Sequence, residues 1–245
     1  KDMHEYFRDR TPTEKNQYTG MFQGKNLLLF TGEAFWIGAV NEQYTPTLYK
    51  LAHSGFVFEN FYNPLWYYST VDGENAATTG LIPTNQVNAS QRYAGKNGVS
   101  MYFSMGNQLR ALGYPTLAYH NNTANYYDRN LSHPNLGYDF YACDTGLDVA
   151  MTWPQSDLEM MQLTLPQALA GEKPFHNYYM TVSGHMNYSF AGNAMSAKHR
   201  DEVADLDMSE AARAYLACNM ELDQALEYTI KTLEEAGELE NTVIV

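Results

Sequence analysis

The sequence has few basic residues, two cysteines and no long apolar run. Its 15 Lys and Arg stand against 28 Asp and Glu, which gives a formal net charge of −13. Binding to nucleic acid depends on a cationic surface, so this balance argues against a nucleic-acid partner. It also argues against electrostatic adhesion to anionic lipid. A phosphate-bearing substrate would therefore need a local cation, either a metal ion or well-placed Arg and Lys side chains.

Cysteine content and hydrophobic runs limit the class of protein further. Cys143 and Cys218 neither prove nor exclude a disulfide, and they fit no zinc-finger spacing. No stretch reaches the roughly 18 consecutive apolar residues of a membrane-spanning helix. The sequence shows no signal peptide and starts at Lys1 instead of Met. We expect a processed or excised domain, with any membrane anchor outside this chain.

The composition that is present suits a folded domain. A hydrophobic content of 44% and an aromatic content of 14% favour a packed globule over a disordered chain. The 20 tyrosines suit a cleft or interface, or they simply replace Phe in the core; both alternatives stay open here. We expect residues 1–24 to form a polar lead-in segment on the outside of one domain that spans 25–245.

Short apolar strands alternate with helices along that domain. Strands are predicted at 26–30, 56–62, 115–120, 176–182 and 241–245. Helices are predicted at 45–52, 100–112, 156–170 with a break or bend near Pro166, and 208–236, while 121–140 is predicted to be a loop. This alternation predicts an α/β fold, with a mostly parallel central sheet and helices on both faces.

Polar residues follow several of these strands. Glu33, His120 and His185 come after predicted strands, Thr70 lies near the start of a helix, and Arg129 lies in the loop together with Tyr127. The carboxyl ends of parallel strands share one edge of a sheet, so these residues can converge. A carboxylate and a hydroxyl suit a hard divalent cation, which would lower the pKa of the hydroxyl and neutralise charge on a transferring phosphoryl group. Arg129 would add bidentate recognition of phosphate.

Each of these residues also has a purely structural interpretation. Within Trp66–Gly80, Ser69 or Thr70 would cap the helix. Glu33 would be an exposed carboxylate at a strand end. Arg129 would be a surface ion-pair partner, and His185 would hydrogen-bond within its loop.

The order of the motifs resembles the extracellular catalytic domain of the lipoteichoic acid synthases. These are phosphoglycerol transferases in the sulfatase-like branch of the alkaline phosphatase superfamily. The matching segments are Asn26–Phe35 for the first metal-ligand motif, Ser69–Glu74 for the nucleophile motif, Tyr126–Arg129 and Thr181–His185 for the substrate pocket, and Leu222–Val245 for the helix and strand before an Asp-His metal pair.

The resemblance implies specific roles for residues of this chain. Thr70 would be the nucleophile and a metal ligand, and Glu33 a second metal ligand. Substrate would be contacted by Tyr127, Arg129, His185 and His120. Tyr127 stands where the better-known members have Trp, and Met186-Asn187-Tyr188 replaces the usual aromatic-Pro continuation after His185, which leaves the substrate detail open.

The resemblance also implies a cofactor, partners and a location. It implies a divalent metal, with Mn²⁺ as the first expectation and Mg²⁺ as the alternative. The partners would be the headgroup of a phosphatidylglycerol-type lipid and a glycerol phosphate polymer or glycan acceptor. The enzyme would act at the extracellular face of the cell membrane of a Gram-positive bacterium.

One departure from the family pattern concerns the metal. The Asp-His pair would follow Val245, so we expect this chain to be a C-terminally incomplete catalytic domain that alone binds metal poorly and is inactive. The Cys/Ser-x-Pro-x-Arg pattern of sulfatases is missing around Cys143, Cys218 and Ser69, which argues against sulfate ester hydrolysis. The alternatives are a phosphodiesterase, phosphatase or other sulfatase-like hydrolase of the same fold, and an inactive domain that binds teichoic-acid-like polymer.

Overall fold

A five-stranded sheet lies at the centre of the computed structural model, which describes residues 2–62, 69–82 and 90–245 without the side chains of His4, Ser69 and Ser90. The strands are β1 (Asn26–Thr31), β2 (Thr116–His120), β3 (Asp139–Ala142), β4 (His176–Met180) and β5 (Thr242–Ile244). Their order is β3-β2-β4-β1-β5, and each neighbouring pair is parallel. The predicted parallel α/β sheet is confirmed.

The first described helix precedes the sheet, and the other described helices lie between consecutive strands in the sequence. They are α1 (Asp2–Arg8), α2 (Pro46–Ala52), α3 (Ser69–Thr79), α4 (Ser90–Asn97), α5 (Met105–Ala111), α6 (Arg129–Asn135), α7 (Asp157–Ala170), α8 (Ala194–Lys198) and α9 (Glu210–Glu235). Short 3-10 turns occupy Ile37–Ala39, Tyr126–Asp128, Asp201–Val203 and Leu239–Asn241.

Successive residues of a strand point to opposite sides of the sheet. Helices pack on the side chains of both faces. On one face, strand residues such as Leu28 and Tyr179 pack with α7 and α9 through Met160, Met161, Leu165, Ala225 and Leu233. On the other face, Leu29 and Tyr178 pack with Ala94 of α4, Met105 of α5 and Leu136, which directly follows α6. The tyrosines serve this core, since Tyr138, Tyr178 and Tyr179 are fully buried.

Local sequence signals set the ends of several helices. Pro46 is the first residue of α2, Ser156 caps α7 by accepting from the backbone N–H of Glu159, and Ser209 caps α9 by accepting from that of Ala212. α7 continues through Pro166 without the predicted break. Gly237, with φ of +68°, follows the last turn of α9, as predicted from the tolerance of glycine for this conformation.

Three predictions of secondary structure are wrong. The aromatic run 56–62 is not a strand; Phe58, Phe61 and Tyr62 are 75–80% exposed, so the run lacks the burial that a central strand requires. The predicted helix 100–112 shortens to α5. The predicted loop 121–140 contains α6 and the start of β3, because its polar residues pair inside the protein instead of facing water. The first three residues of the stretch Trp66–Gly80 lie outside the described residues.

That residues 1–24 form a lead-in segment separate from the domain stays a prediction. Its residues that the structure describes are exposed, and the rings of Tyr18 and Phe22 contact Phe56 edge-on at 5.1 and 6.2 Å between centroids. Across the described ranges, no helix has the length and apolar character needed to span a bilayer. Cys143 and Cys218 are free thiols, so the open question of a disulfide between them is answered.

Candidate active site

The carboxyl ends of three adjacent strands bring the predicted site residues to one edge of the sheet. β1 leads into Glu33, β2 ends at His120, and β4 leads into the loop 181–185. β4 is paired with both β1 and β2 in parallel register, so these three exits are neighbours. This is the edge where ligands bind in open α/β sheets.

Thr70 and Glu33 meet directly at this edge. Thr70 lies in the first described turn of α3, and its Oγ1 donates a hydrogen bond to Oε2 of Glu33 at 3.3 Å. The hydroxyl is therefore aimed at the carboxylate. Burial raises the pKa of the Glu33 carboxyl, while the charge of His185 and the Thr70 hydrogen bond oppose that rise.

The two side chains fit a divalent cation in part. Two oxygens that each lie about 2.1 Å from one ion are at most ~4.2 Å apart, and 3.3 Å satisfies that limit. Carboxylate and hydroxyl oxygens are also the hard ligands that Mg²⁺ and Mn²⁺ prefer. Within the described ranges, no cluster of three His, Cys, Asp or Glu side chains forms a complete metal site. Glu33 and Thr70 thus supply two oxygens at this edge, and a divalent cation there would need additional donors.

The loop after β4 packs tightly on Glu33. The backbone N–H of Glu33 donates to Thr181 Oγ1 at 2.9 Å, and a Cβ atom on Gly184 would lie 2.6 Å from the carbonyl oxygen of Glu33. Only glycine fits at that approach. His185 follows, half-buried, with Nδ1 2.8 Å from the carbonyl of Met186. A carbonyl can only accept, so Nδ1 carries the proton and Nε2 is left for another partner.

Arg129 lies below this surface in a buried ion pair with Glu74. The exposed fractions of the two side chains are 1% and 0%. Nε of Arg129 donates to both carboxylate oxygens at 3.2 Å, and Nη2 donates to Oε1 at 2.5 Å. Although desolvation alone would lower it, the Glu74 charge raises the pKa of Arg129. The guanidinium is therefore permanently cationic at this edge.

Two tyrosines cover the guanidinium. Nη1 of Arg129 donates to the carbonyl of Tyr126 at 3.3 Å, and the guanidinium carbon lies 5.3 Å from the ring centroid of Tyr127. Both distances are within the range of favourable contacts. The hydrogen bonds that Arg129 donates to described residues use its Nε–H group, one N–H of Nη1 and one N–H of Nη2. Among the described residues, the second N–H on Nη1 and on Nη2 has no hydrogen-bond acceptor.

The backbone around the site carries unusual conformations. Ala34, Tyr127 and Asp128 have φ of +50°, +57° and +57°, in the left-handed region that non-glycine residues rarely adopt. Asp128 is held by Arg92 and by Lys96 Nζ at 3.0 Å, which lower the pKa of its carboxyl against the opposing effect of desolvation. Such strained residues cluster at functional sites in proteins.

His120 and His133 are buried neighbours of Arg129. His120 is 4% exposed and donates from Nδ1 to the carbonyl of Met180 at 3.0 Å. Burial, with the Arg129 charge adding to it, lowers its pKa well below the usual value. Burial likewise lowers the pKa of His133 to about 4, and its Nε2 lies 3.8 Å from Glu74. Both imidazoles are neutral at neutral pH.

Asp157, at the start of α7, holds the loop that carries His185. The carboxylate, 1% exposed, accepts from the backbone N–H of Val182 at 2.9 Å, from the N–H and hydroxyl of Ser183, and from Asn121 Nδ2 at 2.9 Å. Burial raises the pKa of Asp157, and these hydrogen bonds oppose the rise. Asp157 therefore links Asn121, which directly follows β2, to the loop that follows β4.

The structure brings all six predicted site residues to this edge, although Arg129 and His120 lie beneath its surface. Sequence reasoning missed the roles of Glu74 and Asp157. Glu74 had a signal, because residues four apart on a helix share one face with each other, and Thr70 is four before it. Asp157 had none, since its partners Asn121 and Ser183 are distant in sequence.

Comparisons with known proteins find a family and several relatives that this chain resembles. A family profile described as Sulfatase matches residues 25–245. Lipoteichoic acid synthase 1 of Bacillus subtilis (strain 168) is 24% identical over 245 residues, which cover 94% of this chain and 36% of that protein. Lipoteichoic acid synthase 2 of the same organism is 22% identical, with 100% and 38% covered.

Solved structures share the fold. The crystal structure of the lipoteichoic acid synthase LtaP from Listeria monocytogenes matches with a TM-score of 0.79 and 21% identity, covering 99% of this chain and 60% of that chain. A protein in the alkaline phosphatase superfamily from Vibrio parahaemolyticus matches with a TM-score of 0.67 and 20% identity, covering 90% and 53%. The chain thus spans a little over a third of the length of its curated relatives.

Proposed function

This chain belongs to the sulfatase family, and from that premise we propose that it is the nucleophile-bearing part of a metal-dependent phosphoglycerol transferase. It would move glycerol phosphate from a phosphatidylglycerol-type lipid, through Thr70, to a polymer or glycan acceptor. The observation that carries the proposal is the 3.3 Å contact between the Thr70 hydroxyl and the Glu33 carboxylate at the sheet edge. The names of the lipoteichoic acid synthase relatives support the choice of reaction.

Thr70 acts as the nucleophile in a two-step transfer. Its Oγ1 bonds to phosphorus as the bond from phosphorus to the diacylglycerol oxygen breaks, and diacylglycerol leaves with a proton on that oxygen. The acceptor hydroxyl then attacks phosphorus, the bond to Oγ1 breaks, and Thr70 regains its proton. A divalent cation held by Glu33 and Thr70, Mn²⁺ or Mg²⁺, would lower the pKa of the hydroxyl and neutralise charge on the phosphoryl group.

The other residues bind and orient the substrate. The outer N–H groups of Arg129 stabilise the phosphoryl oxygens, and the positive charge is kept in place by Glu74. Tyr127 moves off the guanidinium and packs on the glycerol. Nε2 of His185 accepts the proton of the acceptor hydroxyl, since Nδ1 is committed to a carbonyl. His120 is neutral and lies buried beneath the sheet edge, next to Arg129. It contacts the substrate only after Tyr127 has moved off the guanidinium.

Additional metal ligands, such as the Asp-His pair that the resemblance implies, would come from a longer protein, as would a membrane anchor. β5 is parallel to β1, so its carboxyl end points to the same edge as Glu33. The proposed location is the extracellular face of a Gram-positive cell membrane, where the lipid donor lies.

The test is transfer by the full-length protein with Thr70→Ala. With Mn²⁺ and phosphatidylglycerol vesicles, we expect a loss of at least about 10³-fold, because the nucleophile is removed. Thr79→Ala is the matched control on the same helix, since the Thr79 hydroxyl bonds to the backbone, donating to the carbonyl of Asn75 and accepting from the N–H of Leu81. Near-normal transfer by Thr70→Ala would refute the proposal. Release of free glycerol phosphate in place of joined product would favour the hydrolase alternative.

A further inference from the structure

A cavity of about 610 Å³ opens beside Glu33, between the loop after β1 and the start of α9. Its walls include Ala34 and Asn41 from the loop, Tyr188, and Met208 and Tyr215 near or on α9, with Trp36 at the mouth. Volumes of this size are typical of small-molecule sites. Ala34 directly follows Glu33 in the chain, and Tyr188 bonds to Gly184, which closely approaches Glu33, so one wall of the cavity adjoins the candidate active site.

The cavity presents apolar surface although tyrosines line it. Their polar tips are already bonded within the protein: Tyr215 Oη donates to the carbonyl of Ala34 at 3.1 Å and accepts from the N–H of Trp36 at 2.8 Å. Tyr188 Oη donates to the carbonyl of Gly184 at 3.2 Å. Asn41 Oδ1 accepts from the backbone N–H groups of Gln43 and Tyr44. None of the described residues that line the cavity is charged.

The aromatic wall is rigid and extends to an exposed rim. The rings of Tyr188 and Tyr215 contact edge-on at 5.0 Å between centroids, and Trp36 lies 6.5 Å from Tyr215. The indole of Trp36 lies over Gly38, where a Cβ atom would be 1.9 Å from it. Trp36 and Ile37 are 66% and 67% exposed. Exposed Trp beside apolar residues is typical of surfaces that contact the headgroup region of a bilayer.

We propose that this cavity binds the acylglycerol part of the lipid donor. The proposal rests on the proposed function, because the donor phosphate at Thr70 and Glu33 would direct the glycerol and the first acyl carbons toward Ala34. A glycan is disfavoured as the occupant, since sugar recognition needs free polar groups and those of Tyr188 and Tyr215 are engaged. Bound diacylglycerol would leave through the rim at Trp36 into the bilayer.

The first experiment measures calorimetric binding of a chain-length series to this chain. The probes are dibutanoylglycerol and dihexanoylglycerol, the corresponding phosphatidylglycerols, and the glycerophosphoglycerol headgroup without acyl chains. Each methylene that enters the cavity should tighten binding about fourfold. Dissociation constants that do not depend on acyl length would overturn the proposal without any variant.

The second experiment fills the cavity. Ala212→Trp places an indole in the lining, whereas Ala211→Trp places one on the neighbouring exposed residue of α9 that does not line it. Dihexanoylglycerol should bind at least tenfold more weakly to Ala212→Trp and to Trp36→Ala, and unchanged to Ala211→Trp. Equal binding by Ala212→Trp and Ala211→Trp would overturn the proposal, as would a soluble diglucoside that competes in place of the lipid.

Failure of this proposal is distinguishable from failure of the proposed function. Diacylglycerol has no phosphate, so its binding to Thr70→Ala should equal that to the unaltered chain whatever the reaction is. Near-normal transfer by Thr70→Ala would remove the proposed function on a separate measurement. Loss of diacylglycerol binding in Thr70→Ala would overturn the assignment of the cavity.

Discussion

Replacing Glu74 by Gln should destabilise the fold by about 3–5 kcal/mol. The variant leaves the Arg129 guanidinium buried without its counter-charge, and breaking such a pair is far more costly than the pair itself is stabilising. The exposed fractions of 0% and 1% mean that water cannot replace the lost carboxylate. Three N–O contacts of 2.5 to 3.2 Å are weakened at once.

Urea unfolding of this chain, followed by far-UV circular dichroism, gives the free energy of unfolding directly. The matched control is Lys231→Gln, which removes an exposed ion pair with Glu227 of 2.7 Å and should leave the free energy of unfolding nearly unchanged. The double variant Glu74→Leu/Arg129→Met should lose less than either single variant, because no charge stays buried. A loss below about 1 kcal/mol for Glu74→Gln would refute the reasoning.

Three other substitutions test the supports of the site. Glu221 accepts from His199 Nε2 at 2.8 Å and Lys198 Nζ at 2.7 Å, which against the effect of burial lower its pKa to about 2, from 4.5. Glu221→Gln should therefore cost about 3 kcal/mol at neutral pH, and the cost should disappear as pH falls from 4.5 through about 2. Asp157→Asn should cost about 1–3 kcal/mol, because the amide cannot accept from both Val182 and Ser183 as the carboxylate does. Gly184→Ala should cost about 1–3 kcal/mol and lower activity, since its Cβ would lie 2.6 Å from the Glu33 carbonyl oxygen.

Each of these variants has a control. Unfolding of Glu221→Gln measured from pH 7 to pH 2.5 against the unaltered chain should give converging curves, and a constant difference would contradict the assigned pKa. Asp148→Asn, at an exposed carboxylate, should change stability by less than about 0.5 kcal/mol. Gly73→Ala, whose Cβ meets no described atom within 4 Å, should stabilise α3 by about 0.5–1 kcal/mol. If Gly184→Ala behaved like Gly73→Ala, the close approach to Glu33 would be disproved.

The alternation of apolar runs and helices predicted four of the five strands, whereas β3 begins in the segment that was predicted to be a loop. The strands at Asn26 and His176 are buried on both faces, and this demands the continuous hydrophobic or aromatic runs that the sequence displays. The aromatic run 56–62 has the same local pattern but lies exposed near the lead-in segment. Local pattern cannot separate these cases, because burial depends on partners far along the chain.

The sequence by itself determined the parallel sheet, the placement of Glu33, His120 and His185 at strand ends, and the motif that contains Thr70. The sheet and the strand ends follow from periodicity and from the shared edge of parallel strands, whereas the motif that contains Thr70 rests on the family resemblance. Only the tertiary structure decided that Thr70 faces Glu33, that Arg129 is buried against Glu74, and that Asp157 binds two loops. Those contacts join residues 25 to 55 positions apart, and a contact of that kind is fixed by packing, which no local pattern of residues encodes.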